Sequence, residues 1–267
     1  LNIITIQMIL SKKFISDVRT KILKTSFSSQ SSHIGSSLSI VELLSVIYTQ
    51  FINPFKKNSN SFILSKGHGC LAQYCVLNNL KIISDKMLKT FGKDGTILMS
   101  HSSHKVRSIE LSTGSLGHGL PVATGIALGY KINNSKLESY VLISDGELNE
   151  GSNWESFLFA SHHKLNNLKI IIDYNKIQSL DFVNNTLKIE PLKKKLESFG
   201  LKTVIIDGHN YAEIIKSLKI KSSKPLAIIA NTIKGKGVKF MENKVLWHYR
   251  PPNDKELALA LNLIKKS

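Results

Sequence analysis

Five short apolar runs, Ser61–Ser65, Tyr140–Ser144, Lys169–Tyr174, Lys202–Asp207 and Ala227–Thr232, are separated by longer stretches with helical periodicity. Their near-continuous Ile, Val and Leu content suits strands buried on both faces. Alternation with helical segments predicts an α/β fold, a parallel sheet with helices on both faces. Helices are expected over Leu38–Phe51, Gly119–Ile132 and Trp154–Lys164. The first opens with Ser39 and Glu42 at capping-box spacing, followed by Leu43, Leu44, Val46 and Ile47. No repeat or low-complexity linker interrupts the chain, so 1–243 reads as one domain. The remainder, 244–267, carries Pro251-Pro252 and a short helix from Asp254 to Lys265, and reads as a tail packed on that domain. Leu1–Leu10 is mostly apolar but has neither a basic leader nor a small-residue cleavage site, and reads as an extension packing on the domain.

Composition narrows the function classes. The formal charge of +17 raises nucleic acid as a partner. Only three basic residues are arginines, however: Arg19, Arg107 and Arg250. The lysines are spread along the chain without interleaved aromatics, whereas base reading favours the bidentate arginine fork. No nucleic-acid partner is therefore expected. No apolar stretch is long enough for a transmembrane helix. Cys70 and Cys75, five apart in a helical stretch, match neither a metal spacing nor a disulfide framework. Buried thiols in the cytoplasm are the expectation.

The chemistry-bearing residues sit at strand ends. The run Tyr140–Ser144 delivers Asp145-Gly146-Glu147 at its carboxyl end, where open parallel sheets bind ligands. Thirty residues later Asp173-Tyr174-Asn175 ends another strand, with one helix between them as a right-handed crossover. Asp145 and Asn175 can then stand side by side as hard oxygen ligands for Mg²⁺, with the Gly146 N–H facing a phosphate. On spacing alone, a turn and a cap account for these residues slightly better.

The rest of the chain tips that balance. Asp145-Gly-Glu-Leu-Asn-Glu150-Gly151 followed by Asn175 resembles the thiamine-diphosphate fingerprint in its transketolase form. The resemblance continues through Ser32-His33-Ile-Gly35, Ser65-Lys66-Gly67-His68-Gly69 and Ser112-Thr-Gly114-Ser-Leu116-Gly117-His118-Gly119. It ends with Lys234-Gly-Lys-Gly237, Met241-Glu-Asn243 and Trp247-His248. It implies thiamine diphosphate and Mg²⁺ as cofactors, with Asp145, Asn175 and the Ile177 carbonyl as metal ligands. Gly146, His68 and His248 match diphosphate contacts, and Gly114 and Leu116 match the loop that holds the cofactor bent. His33, His68 and His101 match histidines that reach sugar hydroxyls, and His248 also meets the substrate. Glu150 and Glu155 match interface glutamates proposed to relay protons between paired sites. Imidazoles near neutral pKa suit such transfers, while the cofactor acts as electron sink. His104, His118 and His209 are expected to stabilise loops. Four departures stand out: Ser102 in place of a proline, which should loosen the His101 loop; Ser144 in place of a glycine; Ser179 in place of a branched apolar residue; and Tyr249 in place of a glycine.

In this family a glutamate on a second, pyrimidine-binding domain activates the cofactor, and nothing here matches that domain. The resemblance is therefore to the N-terminal subunit of a split transketolase. It implies a two-carbon ketol transfer between sugar phosphates, in a heterotetramer with a pyrimidine-domain partner subunit. An unusual sugar or acyl acceptor, or an inactive cofactor-binding scaffold, are the alternatives.

Overall fold

The computed structural model describes residues 11–56 and 58–266, so the Leu1–Leu10 extension lies outside the described residues. The expected strands form as β1 (Ser61–Leu64), β2 (Ser139–Ser144), β3 (Leu168–Tyr174), β4 (Lys202–Asp207) and β5 (Leu226–Asn231). They pair in parallel in the order β1-β2-β3-β5-β4. Successive side chains leave opposite faces of a strand, and each face has its own core. Tyr140, Leu142, Ile171 and Ile228 enter one; Val141, Ile143, Ile170 and Ile172 enter the other.

The first core is closed by α1 (Lys12–Ser29), α2 (Ile34–Leu38), α3 (Val41–Val46) and α4 (Cys70–Asn79). The second is closed by α5 (Gly119–Ile132), α6 (Gly151–His162) and α7 (Leu192–Ser198). Helices α8 (Tyr211–Leu218) and α9 (Asp254–Lys266) return to the first. Ala260 and Ile264 of α9 are buried, and Ser16 of α1 donates to the Ile264 carbonyl at 3.4 Å. Cys70 and Cys75 are free and buried on α4, and burial pushes both thiols up, away from reactivity.

Two expectations are corrected. β4 is not buried on both faces: it pairs only with β5, and Ile205 is 53% exposed while Thr203 and Ile206 point inward. An edge strand covered on one face has this alternation.

The continuous helix Leu38–Phe51 is interrupted at Ser39-Ile40, and its capping box is not made. Ser39 instead donates to the Ser36 carbonyl (3.0 Å) and to Asp173 Oδ2 (2.9 Å). Glu42 accepts two bonds from Arg19 Nη2 at 2.7 and 3.0 Å and meets His209 Nδ1 at 3.1 Å. Both residues are buried, where a carboxylate needs charged or hydrogen-bonding partners more than a helix start needs a cap.

The Arg19–Glu42–His209 cluster joins three distant segments. Arg19 Nε also donates to the Lys236 carbonyl at 3.0 Å, and His209 Nε2 accepts the Ile233 N–H at 2.9 Å. Burial pushes the Glu42 carboxyl up, but the His209 hydrogen bond and the Arg19 charge outweigh it and leave it lowered. Its contribution is therefore present above the unfolded carboxylate range and lost as pH falls through the lower folded value.

Removing one partner of a buried ion pair costs about 3–5 kcal/mol. Glu42→Leu is expected to lose that much in urea unfolding at neutral pH, and less at pH 3. Lys193→Ala, which breaks an exposed i,i+4 pair with Glu197, should cost below about 0.5 kcal/mol. Equal losses in the two variants would refute the clamp.

Candidate active site at the carboxyl ends of the strands

Four of the five strands discharge their following loops at one end of the sheet, and these loops surround a cavity of about 260 Å³. β1 leads to Lys66 and His68, β2 to Asp145 and Gly146, β3 to Asn175, Ile177 and Gln178, and β5 to Lys234. His33, His101, Gly114, Leu116 and His248 arrive from other loops. Ten of the sequence-predicted residues thus line one space: His33, His68, His101, Gly114, Leu116, Asp145, Gly146, Asn175, Ile177 and His248. Glu150 and Glu155 do not join them. Both are exposed, and Glu155 lines a shallow groove between α5 and α6 with His118 and Phe159.

Asp145 is enclosed, and its carboxylate accepts the Gly146 N–H (2.7 Å) and the Lys176 N–H (2.6 Å). The second bond depends on Lys176 holding a left-handed turn at φ +66°, a conformation unusual outside glycine. Burial, then the neighbouring Asp173 charge, raises the Asp145 carboxyl to about 7. Asp173 is also buried, yet burial is outweighed by Lys66, whose Nζ lies 2.5 Å from Oδ2, and its carboxyl is lowered. Asn175 Nδ2 donates to Asp173 Oδ2 at 2.9 Å, which turns Oδ1 the other way. That oxygen accepts the Ile177 N–H at 3.1 Å. Among the described residues no three His, Cys, Asp or Glu side chains converge as a metal site. One carboxylate short of positive charge, an oriented amide oxygen and a carbonyl suit a hard divalent cation, with the remaining ligands brought by a bound molecule.

Glu147, beside Asp145, is a structural hub. Its buried carboxylate accepts from Ser65 Oγ, the Gly117 N–H (2.9 Å) and the Ser144 N–H (3.3 Å). Ser144 Oγ in return accepts the Glu147 N–H at 3.3 Å, so the serine at the fingerprint's first position is tied into this hub.

The histidines form one cluster. His33 lies with ring centroids 5.4 Å from His68, 6.1 Å from His101 and 4.9 Å from His248. Burial, followed by the His101 and nearby lysine charges, lowers His33 to about 4. Burial, then Lys234, lowers His248 to about 3, and burial lowers His68 and His101 as well. All four are neutral imidazoles at physiological pH. His33 sits at φ +66°, held by its N–H to the His248 carbonyl at 2.9 Å, so the two residues are positioned together. Gly67 is required by close approach: a Cβ there would lie 2.4 Å from the Thr113 carbonyl oxygen, in the loop leading to Gly114.

The departures resolve in different ways. Ser102 does not loosen its loop: it is buried, its hydroxyl donates to Gln73 Oε1 (2.9 Å), and its carbonyl accepts the Thr113 N–H (3.1 Å). Tyr249 donates its hydroxyl to the Ser179 carbonyl, joining two of the changed positions at the cavity edge. His104 bonds Ser112 at 2.7 Å and His209 bonds Glu42 and Ile233, as expected of loop-stabilising histidines; His118 caps no helix end with its side chain.

Sequence reasoning missed Lys66, Lys234 and Gln178. The two lysines stood inside quoted motifs, but nothing in a string of lysines marks which are buried. Lys66 and Lys234 are both enclosed among the cavity-lining residues. Gln178 Nε2 is buried without a hydrogen-bond partner among the described residues while the side chain lines the cavity, a donor left for a ligand.

Known proteins with this combination point one way. The family described as transketolase, thiamine diphosphate binding domain, matches residues 10–263. The chain is 41% identical over 241 residues to an apulose-4-phosphate transketolase subunit of Actinobacillus succinogenes, covering 87% of each chain. It is 37% identical over 225 residues to the 6-deoxy-6-sulfo-D-fructose transketolase subunit SqwG of a Clostridium species, covering 81% of this chain and 82% of that one. Human transketolase is 32% identical over 240 residues, and there the match spans 88% of this chain but 38% of the relative. The crystal structure of Campylobacter jejuni transketolase superposes with a TM-score of 0.86 at 27% identity, over 99% of this chain and 43% of that one. With its parallel sheet, its strand-end cavity and a family match along nearly its whole length, this chain belongs to the transketolase family, in its thiamine-diphosphate-binding domain.

Proposed function

We propose that this chain is the diphosphate-binding subunit of a split transketolase, which moves a two-carbon ketol unit between sugar phosphates together with a pyrimidine-domain partner. The observation that carries the reading is the convergence of Asp145, Asn175, the Ile177 carbonyl and four neutral histidines on one cavity. The split is supported by the lengths matched. The chain covers 87% of the Actinobacillus succinogenes subunit and 91% of a like-named one from Phocaeicola vulgatus, against 38% of human transketolase. The names of the split relatives favour a donor outside the common sugar phosphates as a second reading within the same chemistry.

In this reading Asp145, Asn175 and the Ile177 carbonyl hold Mg²⁺, and the Gly146 N–H, His68 and His248 face the diphosphate. Gly114 and Leu116 line the cavity where they would support the bent cofactor. Bound thiamine diphosphate supplies the electron sink for breaking the carbon–carbon bond. The chain's own part is to position, to exclude water and to move protons. His33, His68 and His101 are neutral, and a neutral imidazole can accept a hydroxyl proton and return it. Glu150 and Glu155, exposed here, would act only across an interface with another chain, in a heterotetramer holding two copies of each polypeptide. Free buried thiols accord with a cytoplasmic location, and no helix among the described residues is long and apolar enough to cross a membrane.

Three outcomes are expected. Thiamine diphosphate at a hundred times its Kd should raise unfolding stability by about 2.7 kcal/mol, with Mg²⁺ and much less with EDTA; no Mg²⁺-dependent gain in the assembled pair would sink the metal assignment.

Asp145→Asn and Glu147→Ala should part company. The first loses the Mg²⁺-dependent gain without lowering the ligand-free unfolding midpoint, because the Asp145 carboxylate is held by two backbone N–H groups and by no ion pair among the described residues. The second lowers that midpoint, because Ser65, Gly117 and Ser144 lose their acceptor. The reverse pattern would exchange the two roles.

The chain alone should show no ketol transfer, and a pyrimidine-domain partner should restore it. In the mixture His33→Ala is expected to reduce turnover roughly 10²-fold, the scale of a lost proton-transfer group, while gel filtration shows the assembly intact. Turnover by the chain alone would overturn the split-enzyme reading.

A further inference from the structure

Lys234 follows β5 and is 1% exposed, with its ammonium at the edge of the cavity. Its Nζ has three neighbours at hydrogen-bond distance: the Ile177 carbonyl at 3.1 Å, the Gln178 carbonyl at 3.1 Å and His248 Nδ1 at 2.9 Å. An ammonium has three N–H donors and no lone pair. Three acceptors around it satisfy it completely, and none of the three can be a donor. Burial, and the nearby Lys66 charge, lowers Lys234 to about 8, which still leaves it predominantly charged at neutral pH.

The packing leaves the lysine little freedom to do otherwise. Gly35 faces its stem: a Cβ there would lie 3.2 Å from Lys234 Cγ and 3.2 Å from the Trp247 carbonyl oxygen. The Gly235 N–H bonds the Gly35 carbonyl at 3.0 Å, fixing the loop that carries Lys234 against α2. His248 is fixed from its own side, through its carbonyl to the His33 N–H at 2.9 Å.

We infer that Lys234 is a positioning residue that locks His248 in the Nε2–H tautomer, so that His248 offers the cavity a hydrogen-bond donor and not a base. A neutral imidazole carries one proton. With Nδ1 committed as acceptor to Lys234, that proton resides on Nε2, the one polar ring atom left for a ligand. This deepens the functional reading of the same cavity, on which it rests for its consequence: His248 can hold an anionic or carbonyl oxygen, and proton acceptance falls to the other histidines. The tautomer itself follows from the Lys234 geometry alone.

The test is long-range ¹H–¹⁵N correlation spectroscopy of the ligand-free, ¹⁵N-labelled chain at neutral pH, with His248 assigned by the signals lost in His248→Asn. The expected result is a single Nε2–H pattern for His248, with Nδ1 unprotonated. In Lys234→Met that fixed pattern should be lost to a mixture of tautomers, while Lys234→Arg should keep it. An Nδ1–H pattern in the unsubstituted chain overturns the inference, and this holds even if Lys234→Met fails to fold. A fixed Nε2–H pattern surviving unchanged in a folded Lys234→Met overturns it too. Since the experiment uses no cofactor, failure of thiamine diphosphate to bind would count against the functional reading and leave the tautomer result standing.

Discussion

The buried charge pair between Asp173 and Lys66 is the constraint on which the site depends. Asp173 is the sixth residue of β3, and both its side chain and that of Lys66 are inaccessible to water. Such a carboxylate is tolerated only with its lone pairs used. Lys66, Ser39, Thr232 and Asn175 use them, and they come from the loop after β1, the break between α2 and α3, the loop after β5, and β3's own end. Lys66 Nζ also reaches the Ser36 carbonyl at 3.3 Å. One charge thereby holds four segments at the sheet's carboxyl edge.

That arrangement gives the two neighbouring carboxylates opposite characters. Asp173 has the lysine and is held ionised. Asp145 follows the β2 residue that registers with Asp173, and its N–H bonds the Asp173 carbonyl at 3.2 Å, yet it has no ion-pair partner among the described residues. Its carboxyl is raised by burial and by the charge of Asp173. The positive charge that Asp145 calls for is what a divalent cation supplies. The same division sets Asn175, whose amide is turned by Asp173 so that its oxygen is free of that carboxylate. The site is poised for a ligand by the placement of one lysine.

The backbone carries a matching cost. His33 and Lys176 both sit at φ +66° without being glycine. Such conformations persist only where surrounding contacts over-determine them. Here those contacts are the His248 carbonyl for His33 and the Asp145 carboxylate for Lys176. Each strained residue therefore fixes a group lining the cavity.

Much of this was legible in the sequence. The strands, the α/β class, the helix Gly119–Ile132 and the side-by-side standing of Asp145 and Asn175 follow from periodicity and from where strands end, because those are local properties of the chain. The motif residues His33, His68, His101 and His248 were legible as chemistry-bearing groups through resemblance to a family. Tertiary structure alone decided what long-range partners decide. It exposed one face of β4 because of its edge position, and it diverted Ser39 and Glu42 from a helix cap to Asp173 and Arg19. It made Glu147 a hub rather than a bystander, and it selected Lys66 and Lys234 from a chain crowded with lysines. A buried charge takes its meaning from the groups folded around it, 107 residues away for Lys66 and Asp173, and no local pattern encodes that distance.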